Sequence, residues 1–493
     1  MYKLVLYYLI GLLAVAIALS VTGGIQYNPL TIIVSATILA IACWVINKIF
    51  AVIFKVPTNS ESWLVTALIL ALIITPKLGL YDITFLLAAA GLAMASKYIL
   101  TINDAHIFNP AAIAVALTAF GPRQNASWWI GTSVLLPFVI IGGVLLLRKI
   151  RRWQMVGSFF VATFLATAVY TLVGHGDVVI SLKQAALSSP VFFLGFIMLT
   201  EPLTSPSIRK KQNWYGLLVG VLLPPQVHIL SFYSTPELSL VIGNIFSAIA
   251  SPKTRIFPIL KEKVRLAASA VDFVFASDKK LAYQPGQYME WTLPHHNADI
   301  RGNRRYFTIA SSPTEPDLHI GVKFYEKGSS YKEALLAADQ NTQIVAAQVA
   351  GDFTLPKNTH QKLVFIAGGI GITPFRSMLK YLLDTNELRD IVILYAVSSL
   401  NELAYKDVLQ AARLQLGVKI KFIVSNLNEF MPGDLMQSGY INTETIEQFI
   451  PDHSERTFYI SGSHGMVASV KSNLAELKVS KRHIKVDYFP GYQ

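Results

Sequence analysis

The chain has 493 residues, 53% of them apolar and 15% charged, with a formal net charge of +12. Residues 1–250 hold 14 Lys/Arg and 6 Asp/Glu, against 28 and 24 in the remainder, so the first half reads as membrane and the second as soluble. A lone cysteine, Cys43, lies in an apolar run, which excludes a disulfide framework, a cysteine-ligated iron–sulfur cluster and a Cys-rich zinc site; no metal is expected.

Apolar stretches run over 4–22, 29–54, 62–76, 80–100, 107–121, 128–147, 154–174, 185–200, 214–233 and 238–251. Most are long enough to cross a hydrocarbon core of about 30 Å as helices, and the shortest fit bent or partial spans. Met1-Tyr2-Lys3 before an apolar run imitates a signal peptide, but no cleavage site follows and another span comes at once. An uncleaved first helix is expected. Threading ten spans with the amino terminus in the cytoplasm places eleven Lys/Arg on the inner side and three, Lys77, Arg123 and Lys183, on the outer. That asymmetry predicts a multi-pass protein of the cell membrane, of bacterial type, with both termini cytoplasmic and the lipid bilayer as its partner. The same basic excess therefore marks topology and not a nucleic-acid footprint.

Polar punctuation within the spans is concentrated. Phe108-Asn109-Pro110 opens the fifth stretch, Leu199-Thr200-Glu201-Pro202-Leu203-Thr204-Ser205-Pro206 closes the eighth, and Asn244 sits inside the tenth. Proline at a helix mouth frees backbone groups that must find partners in protein, headgroup or ligand. Glu201 reads either as an ion or cofactor ligand or as a helix-terminus carboxylate meeting cytoplasmic solvent. No two histidines share a helix at a spacing that clamps haem, and His106, His175 and His228 read as loop or core residues.

These motifs, in this order, resemble a family of integral-membrane flavoproteins with members in the Rnf complex and in the sodium-pumping NADH:quinone reductase. There the stretches read FNP and TDPVT, with Asp in the place of Glu201, and Ser62–Leu68 is similar to the family's third helix. The likeness covers most of 1–250. It implies a flavin in the membrane domain, with Asn109, Thr200, Glu201, Thr204 and Asn244 as candidate contacts. The family esterifies FMN to the Thr of an S-G-A-T motif. This chain reads Ser188-Ser189-Pro190-Val191, and Val191 has no hydroxyl. The departure implies FMN or riboflavin held without a covalent bond, or Ser188 or Ser189 as substitute acceptor.

After Pro252 the pattern changes. Val264–Phe275 and Tyr288–Leu293 alternate as strands, with Pro285-Gly286 as a turn between them. From Lys362 the order becomes strand, Gly-rich loop and helix, then strands at Ile391–Ala396, Ile420–Val424 and Thr457–Ser461. This predicts a small antiparallel barrel followed by an open parallel sheet. Leu363–Ala367 runs into Gly368, Gly369 and Gly371, and a helix begins near Pro374. Such a turn lets a pyrophosphate approach the backbone and the helix amino end, or is simply a tight βα turn.

Together with Arg305-Tyr306-Phe307-Thr308, Gly328-Ser329-Ser330, Tyr459-Ile460-Ser461-Gly462 and the terminal Phe489-Pro490-Gly491-Tyr492, that turn resembles the ferredoxin–NADP reductase superfamily across about 260–493. The resemblance implies FAD and NADH or NADPH. Arg305 would pair with the flavin pyrophosphate beside Tyr306, Phe307 would pack on the isoalloxazine, and Thr308 would hydrogen-bond near its reactive nitrogen. Gly328, Ser329 and Ser330 would donate to the same pyrophosphate. Gly368, Gly369, Gly371, Thr373 and Pro374 would hold the nicotinamide nucleotide, with Gly462 shaping its pocket, and Tyr492 is a further candidate cofactor contact. Thr308, Ser461 and Phe489 are the candidate catalytic residues; Ser461 stands where the superfamily often has Cys. After the next strand, Ala396–Glu402 offers no cation for a ribose 2′-phosphate, and Glu402 would repel one, which favours NADH.

The fold class expected is a polytopic α-helical membrane domain of about ten transmembrane helices at 1–252, a β-barrel FAD domain at 253–358 and an α/β NAD(P)-binding domain at 359–493. The function expected is electron transfer from cytoplasmic NAD(P)H through FAD to a membrane-domain flavin and on to an acceptor at or beyond the outer face. Two alternatives stand beside it: a single-chain NAD(P)H:quinone reductase, and a flavin or ion transporter coupled to a reductase module.

Overall fold

A computed structural model describes residues 2–56, 60–120, 124–229, 232–277, 279–326, 328–425 and 435–487. The chain divides into two compact units at the Arg255–Ile256 bond. Phe489 and Tyr492 lie outside the described residues.

The first unit is helical: α1 (Tyr2–Val21), α2 (Pro29–Phe54), α3 (Ser60–Ile73), α4 (Leu80–Ile99), α5 (Pro110–Phe120), α6 (Leu136–Ile150), α7 (Trp153–Val173), α8 (Val178–Leu187), α9 (Val191–Phe193), α10 (Arg209–Leu222) and α11 (Pro236–Ala250). Two-residue hairpins, β1 (Thr101–Ile102) with β2 (Ala105–His106) and β3 (His228–Ile229) with β4 (Phe232–Tyr233), lie between them. Helix starts follow local chemistry. Asn28 and Thr235 cap α2 and α11, each followed by a proline whose missing N–H is not needed there. Close packing of α7 on α10 depends on Gly216 and Gly220, where an added methyl would lie 2.3 Å from Met155 O and 2.5 Å from Phe159 O.

Of these helices, α1, α2, α4 and α7 are individually long and apolar enough to span a bilayer. A fifth candidate is bent: α8 and the segment 191–198 meet at 56° around Ser188–Pro190. Three expected stretches are redrawn. The sixth helix begins at Leu136, because Trp129–Gly131 forms a separate 3-10 turn; the ninth ends at Leu222, just before Pro224-Pro225; and α8 lies in a stretch whose Asp177 and Lys183 interrupt the apolar pattern. After α9 the chain takes π-helical geometry over Leu194–Met198, with Leu199 N–H donating to Leu194 O at 2.9 Å.

The second unit begins with antiparallel strands β5 (Ile259–Ala267), β6 (Ala270–Ala276), β7 (Tyr288–Thr292), β8 (Arg304–Thr308), β9 (Leu318–Lys323) and β10 (Val345–Ala350), with α12 (Ser330–Ala337) between the last two. They pair as two three-stranded sheets, β5-β6-β9 and β10-β7-β8. The expected barrel is therefore not one continuous ladder. Its seams are the isolated bridges Ile256–Ala346 and Ile259–Gln343 on one side, and the Ala310 N–H bond to His319 O (2.8 Å) on the other. Phe273, Phe275, Met289 and Trp291 fill the space between the sheets.

Next come β11 (Leu363–Gly368), α13 (Thr373–Thr385), β12 (Ile391–Val397), α14 (Lys406–Leu416), β13 (Lys419–Val424), β14 (Met436–Ser438), α15 (Thr443–Phe449), β15 (Thr457–Ser461), α16 (His464–Glu476) and β16 (Ile484–Val486). The six strands form one parallel sheet in the order β14-β13-β12-β11-β15-β16, so β11 and β15 are central neighbours and their carboxyl ends lie side by side. The antiparallel and parallel parts of this unit meet through apolar packing, with Ala310 and Phe353 in one core with Phe365, Phe375 and Tyr459, and through polar contacts. The Arg376 guanidinium forks onto Glu315 (Nη2–Oε1 2.8 Å), Tyr405 OH donates to Asp272 Oδ1 (3.1 Å), and Ser377 Oγ donates to Ser311 O (2.6 Å).

Candidate functional site

The loop between β11 and α13 carries the second unit's site. Gly369 has φ +53, a left-handed conformation that glycine adopts without strain. Gly371 presses against the end of β15: a methyl there would lie 2.4 Å from Ser461 O. On Gly368 it would meet the Met466 sulfur at 2.1 Å. Backbone from two parallel strands thus approaches closely at the amino end of α13, where N–H groups and the helix dipole favour a phosphate. Thr373 Oγ1 donates to Ile370 O at 3.0 Å and fixes the turn.

A cleft of about 550 Å³ opens over this loop. Tyr306, Phe307 and Thr308 from β8 form one wall; Gly368, Gly369, Gly371, Thr373, Ser461 and Gly462 form another. Residues that the sequence separates by more than 150 positions therefore share one cavity. Thr308 and Ser461 are both buried, and Ser461 Oγ donates to Asp487 Oδ2 at 3.1 Å. On its other side Tyr306 OH donates to buried Glu290 (2.9 Å), which also receives Arg304 and Gln348.

Arg305 is placed differently from a simple anion fork. Its Nη1 donates to the carbonyls of Arg301 (3.0 Å), Gly302 (2.8 Å) and Arg304 (2.7 Å), and its guanidinium lies 5.1 Å from the centre of the Tyr331 ring. The cations on the cleft wall are Lys323 and Lys332. Burial lowers the Lys332 pKa, and the charges of Arg305 and Arg301 lower it further, a cost that an anion beside its ammonium would relieve; Glu402 and Asp487 share the same wall. Ser329 caps α12, its Oγ accepting from Lys332 N at 3.3 Å; Ser330 Oγ accepts from Asp299 N (2.9 Å) and meets His295 Nε2 (3.0 Å). Gly328, Ser329, Ser330 and Pro374 stand outside the cleft wall.

At the nucleotide end, Glu402 is not an isolated repelling charge. Lys323 donates to it at 2.6 Å and Ser269 at 2.8 Å, and against the opposing effect of burial these contacts hold its carboxyl below the usual range. The cation that the sequence near Glu402 lacked comes from β9. Two exposed tyrosines, Tyr325 and Tyr440, stand at the cleft as further flat surfaces. Sequence reasoning missed Lys323, Lys332, Met466 and Asp487; the last three flank the sequence motifs, but residue type alone did not turn them to the cleft.

In the first unit, the candidate membrane residues split. Asn109 caps α5 through its Oδ1, which accepts from Ala112 N (3.1 Å), while its Nδ2 donates to Glu201 Oε2 (2.8 Å). Thr204 Oγ1 donates to the same oxygen (3.2 Å), and Asn244 Oδ1 accepts from Asn109 N (2.8 Å). Asn244 Nδ2 in turn donates to Thr204 O (3.3 Å) and Tyr215 OH (3.0 Å). Thr200 Oγ1 donates back into its own helix, to Phe196 O at 2.8 Å. His106, read as a bland loop residue, places Nε2 3.7 Å from Glu201 Oε1. The one sequence signal for it was its position three residues before Asn109. Ser188 and Ser189 belong elsewhere, at the bend after α8, where Ser189 Oγ donates to Ala185 O (2.5 Å). Val191 is buried beside them. Among the described residues, no group of three His, Cys, Asp or Glu is arranged to hold a metal.

Two segments match family models: residues 120–249 match the NQR2, RnfD, RnfE family, and residues 365–472 match the oxidoreductase NAD-binding domain. Among curated proteins, the chain is 26% identical over 245 residues to a flavohemoprotein of Oceanobacillus iheyensis, covering 48% of this chain and 59% of that one. It is also 26% identical over 216 residues to a flavohemoprotein of Candida albicans, covering 42% and 51%. The chain thus spans between half and three-fifths of these relatives. Among solved structures, the FAD/NAD-binding domain of a Vibrio cholerae nitric oxide dioxygenase aligns with TM-score 0.42 and 22% identity, over 48% of this chain and 98% of that one. The chain thus joins a segment at 120–249 that matches the NQR2, RnfD, RnfE family to one at 365–472 that matches the oxidoreductase NAD-binding domain.

Proposed function

We propose that the chain is a membrane flavoenzyme that oxidises NAD(P)H in the cleft of its second unit and delivers the electrons through its helical unit to an acceptor at or beyond the outer face. The observation that carries this reading is the single cleft in which the ends of β8, β11 and β15 converge. Its volume, about 550 Å³, is that of a cofactor site. The residues fit a dinucleotide pair: glycines where a Cβ would block backbone approach, a helix amino end, and two lysines on the wall. FAD, when bound, supplies the means to take a hydride and release electrons singly. The chain's own groups supply the rest. Phe307 offers a flat apolar face, Thr308 a hydroxyl at the end of its strand, and Ser461 a hydroxyl held by Asp487. Lys323 and Lys332 attract the phosphates.

The Asn109–Glu201–Thr204–Asn244 cluster is the proposed contact set for a second, non-covalent flavin in the membrane unit. A hydrocarbon core of about 30 Å separates the two faces, so one cytoplasmic site does not serve an outer acceptor. Ten spans, with both termini in the cytoplasm, belong to the same reading.

The test is flavin identity and stoichiometry in detergent-purified protein, followed by NADH-driven reduction of a membrane-impermeant acceptor enclosed in vesicles. FAD plus a second flavin, with reduction across the bilayer, is the expected result. One FAD, with electrons passing only to quinone, selects a quinone reductase instead. Flavin or ion uptake indifferent to NADH selects a carrier.

A further inference from the structure

The turn that follows the π-helical segment leaves regular structure over residues 200–206, which include Pro202 and Pro206, and yet its carbonyls are matched one by one. Thr200 O accepts from Arg152 Nη1 (3.2 Å), Glu201 O from Ser205 N (3.0 Å), Thr204 O from Asn244 Nδ2 (3.3 Å), and Pro206 O from Gln212 Nε2 (3.0 Å). The remaining three, Pro202 O (2.6 Å), Leu203 O (2.6 Å) and Ser205 O, converge on the ammonium of Lys253. A lysine ammonium has three N–H donors and no acceptor, so these carbonyls use it completely. It has nothing left to offer a substrate or a phosphate.

Three carbonyls around one charge are the ligand set of a small monovalent cation. Burial and the charge of Arg152 lower the Lys253 pKa, and the carboxylate of Glu201, which heads the same turn, opposes them. Beside the ammonium lies a cavity of about 20 Å³, lined in part by Leu203, Thr204 and Ser251, with room for about one water. Lys253 enters from the chain just after α11, through Ser251 and Pro252, and Ser251 Oγ accepts from Ser207 N (3.2 Å), which holds the entering segment against the turn.

We propose that residues 202–205 form a monovalent-cation site that Lys253 fills permanently, and that a small free cation occupies it when the side chain is removed. The inference is independent of the electron path, because it concerns how this turn is held and is read by stability. In the wild type the built-in cation makes the turn indifferent to the salt around it. Lys253→Ala leaves three carbonyls without donors and opens a channel the size of the lost stem.

The experiment uses the full chain in detergent, with the apparent unfolding midpoint read at one scan rate. Lys253→Ala is expected to melt about 5 °C or more below the wild type in tetramethylammonium chloride. Methylammonium or ammonium chloride at equal ionic strength is expected to recover at least half of that loss, with no effect on the wild type. Lys253→Met, which keeps the stem without the charge, is expected to fall similarly and stay unrescued. A Lys253→Ala midpoint within 1 °C of wild type overturns the proposal, as does equal loss in methylammonium and tetramethylammonium, or a variant that folds in neither. Independently, amine acetylation of the wild type is expected to modify Lys253 at least tenfold more slowly than exposed Lys210; equal rates would overturn it without any variant.

Discussion

At the scale of single residues, the two loop glycines separate backbone contact from side-chain contact. Gly371→Ala drives a methyl onto the Ser461 carbonyl, which cannot step aside without moving β15. It is expected to cost about 1–3 kcal/mol of stability and to raise the KM for NAD(P)H. Gly368→Ala meets only the thioether of Met466, which swings away, and is expected below the lower end of that range. Paired denaturation and steady-state kinetics compare the two; equal costs would show that the turn is not held against β15. Ser461→Ala removes the hydrogen bond to Asp487 and is expected to lower kcat about tenfold with little change in KM. An unchanged kcat would take Ser461 out of the reaction. The glycines were legible in the sequence because the chemistry of a tight βα turn is local. Lys323 was not, because it reaches the cleft from β9 with no motif beside it; Lys332 and Asp487 lie two residues from the motifs at Gly328-Ser329-Ser330 and Phe489, but only the fold turns them to the cleft.

At the scale of elements, the apolar pattern located nearly every helix and failed at their ends. Trp128 to Ser133 is apolar enough to extend α6 backwards, yet it turns, with Trp128 and Trp129 buried and their indole N–H groups donating to Glu237 (2.9 Å) and Ala71 O (3.0 Å). Apolar count does not see such bonds. The rim of the parallel sheet makes a second test. Arg456, and with it Lys362, holds Asp452 down to about 2 against the effect of burial. Because the folded value lies below the unfolded one of roughly 3.9, this stabilisation is complete above about pH 5 and is lost as pH falls towards 2. Asp452→Asn is expected to be less stable than wild type at neutral pH and to converge with it near pH 2, in near-UV circular dichroism melts. A constant gap down to pH 2 would assign the effect to packing.

At the scale of the whole molecule, the division at Arg255 puts a nucleotide-handling unit and a helical unit on one polypeptide, and their separate characters were plain from charge density alone. The pairing of Asn109 with Glu201 was half legible: the motifs were visible, but the hydrogen bond between them spans 92 positions and only the fold brings it about. Glu201→Leu is expected to remove the flavin proposed for the membrane unit while leaving NADH-driven reduction of a soluble dye by the second unit within about twofold, a selectivity that absorbance spectra and dye assays read together. Loss of both activities would mean that the cluster supports the whole fold. The seam inside the second unit, where Arg376–Glu315, Tyr405–Asp272 and Ser377–Ser311 flank the packing of Phe353 on Phe375 and Tyr459, has its own consequence. Interfaces inside a chain that combine polar pairs with a modest apolar patch hold an orientation without locking it. The cleft walls belong to the two sides of that seam, so its opening is expected to limit the release of a spent nucleotide and with it turnover. Thickening the medium with sucrose should then slow catalysis in proportion to viscosity, as it slows any hinge moving through solvent.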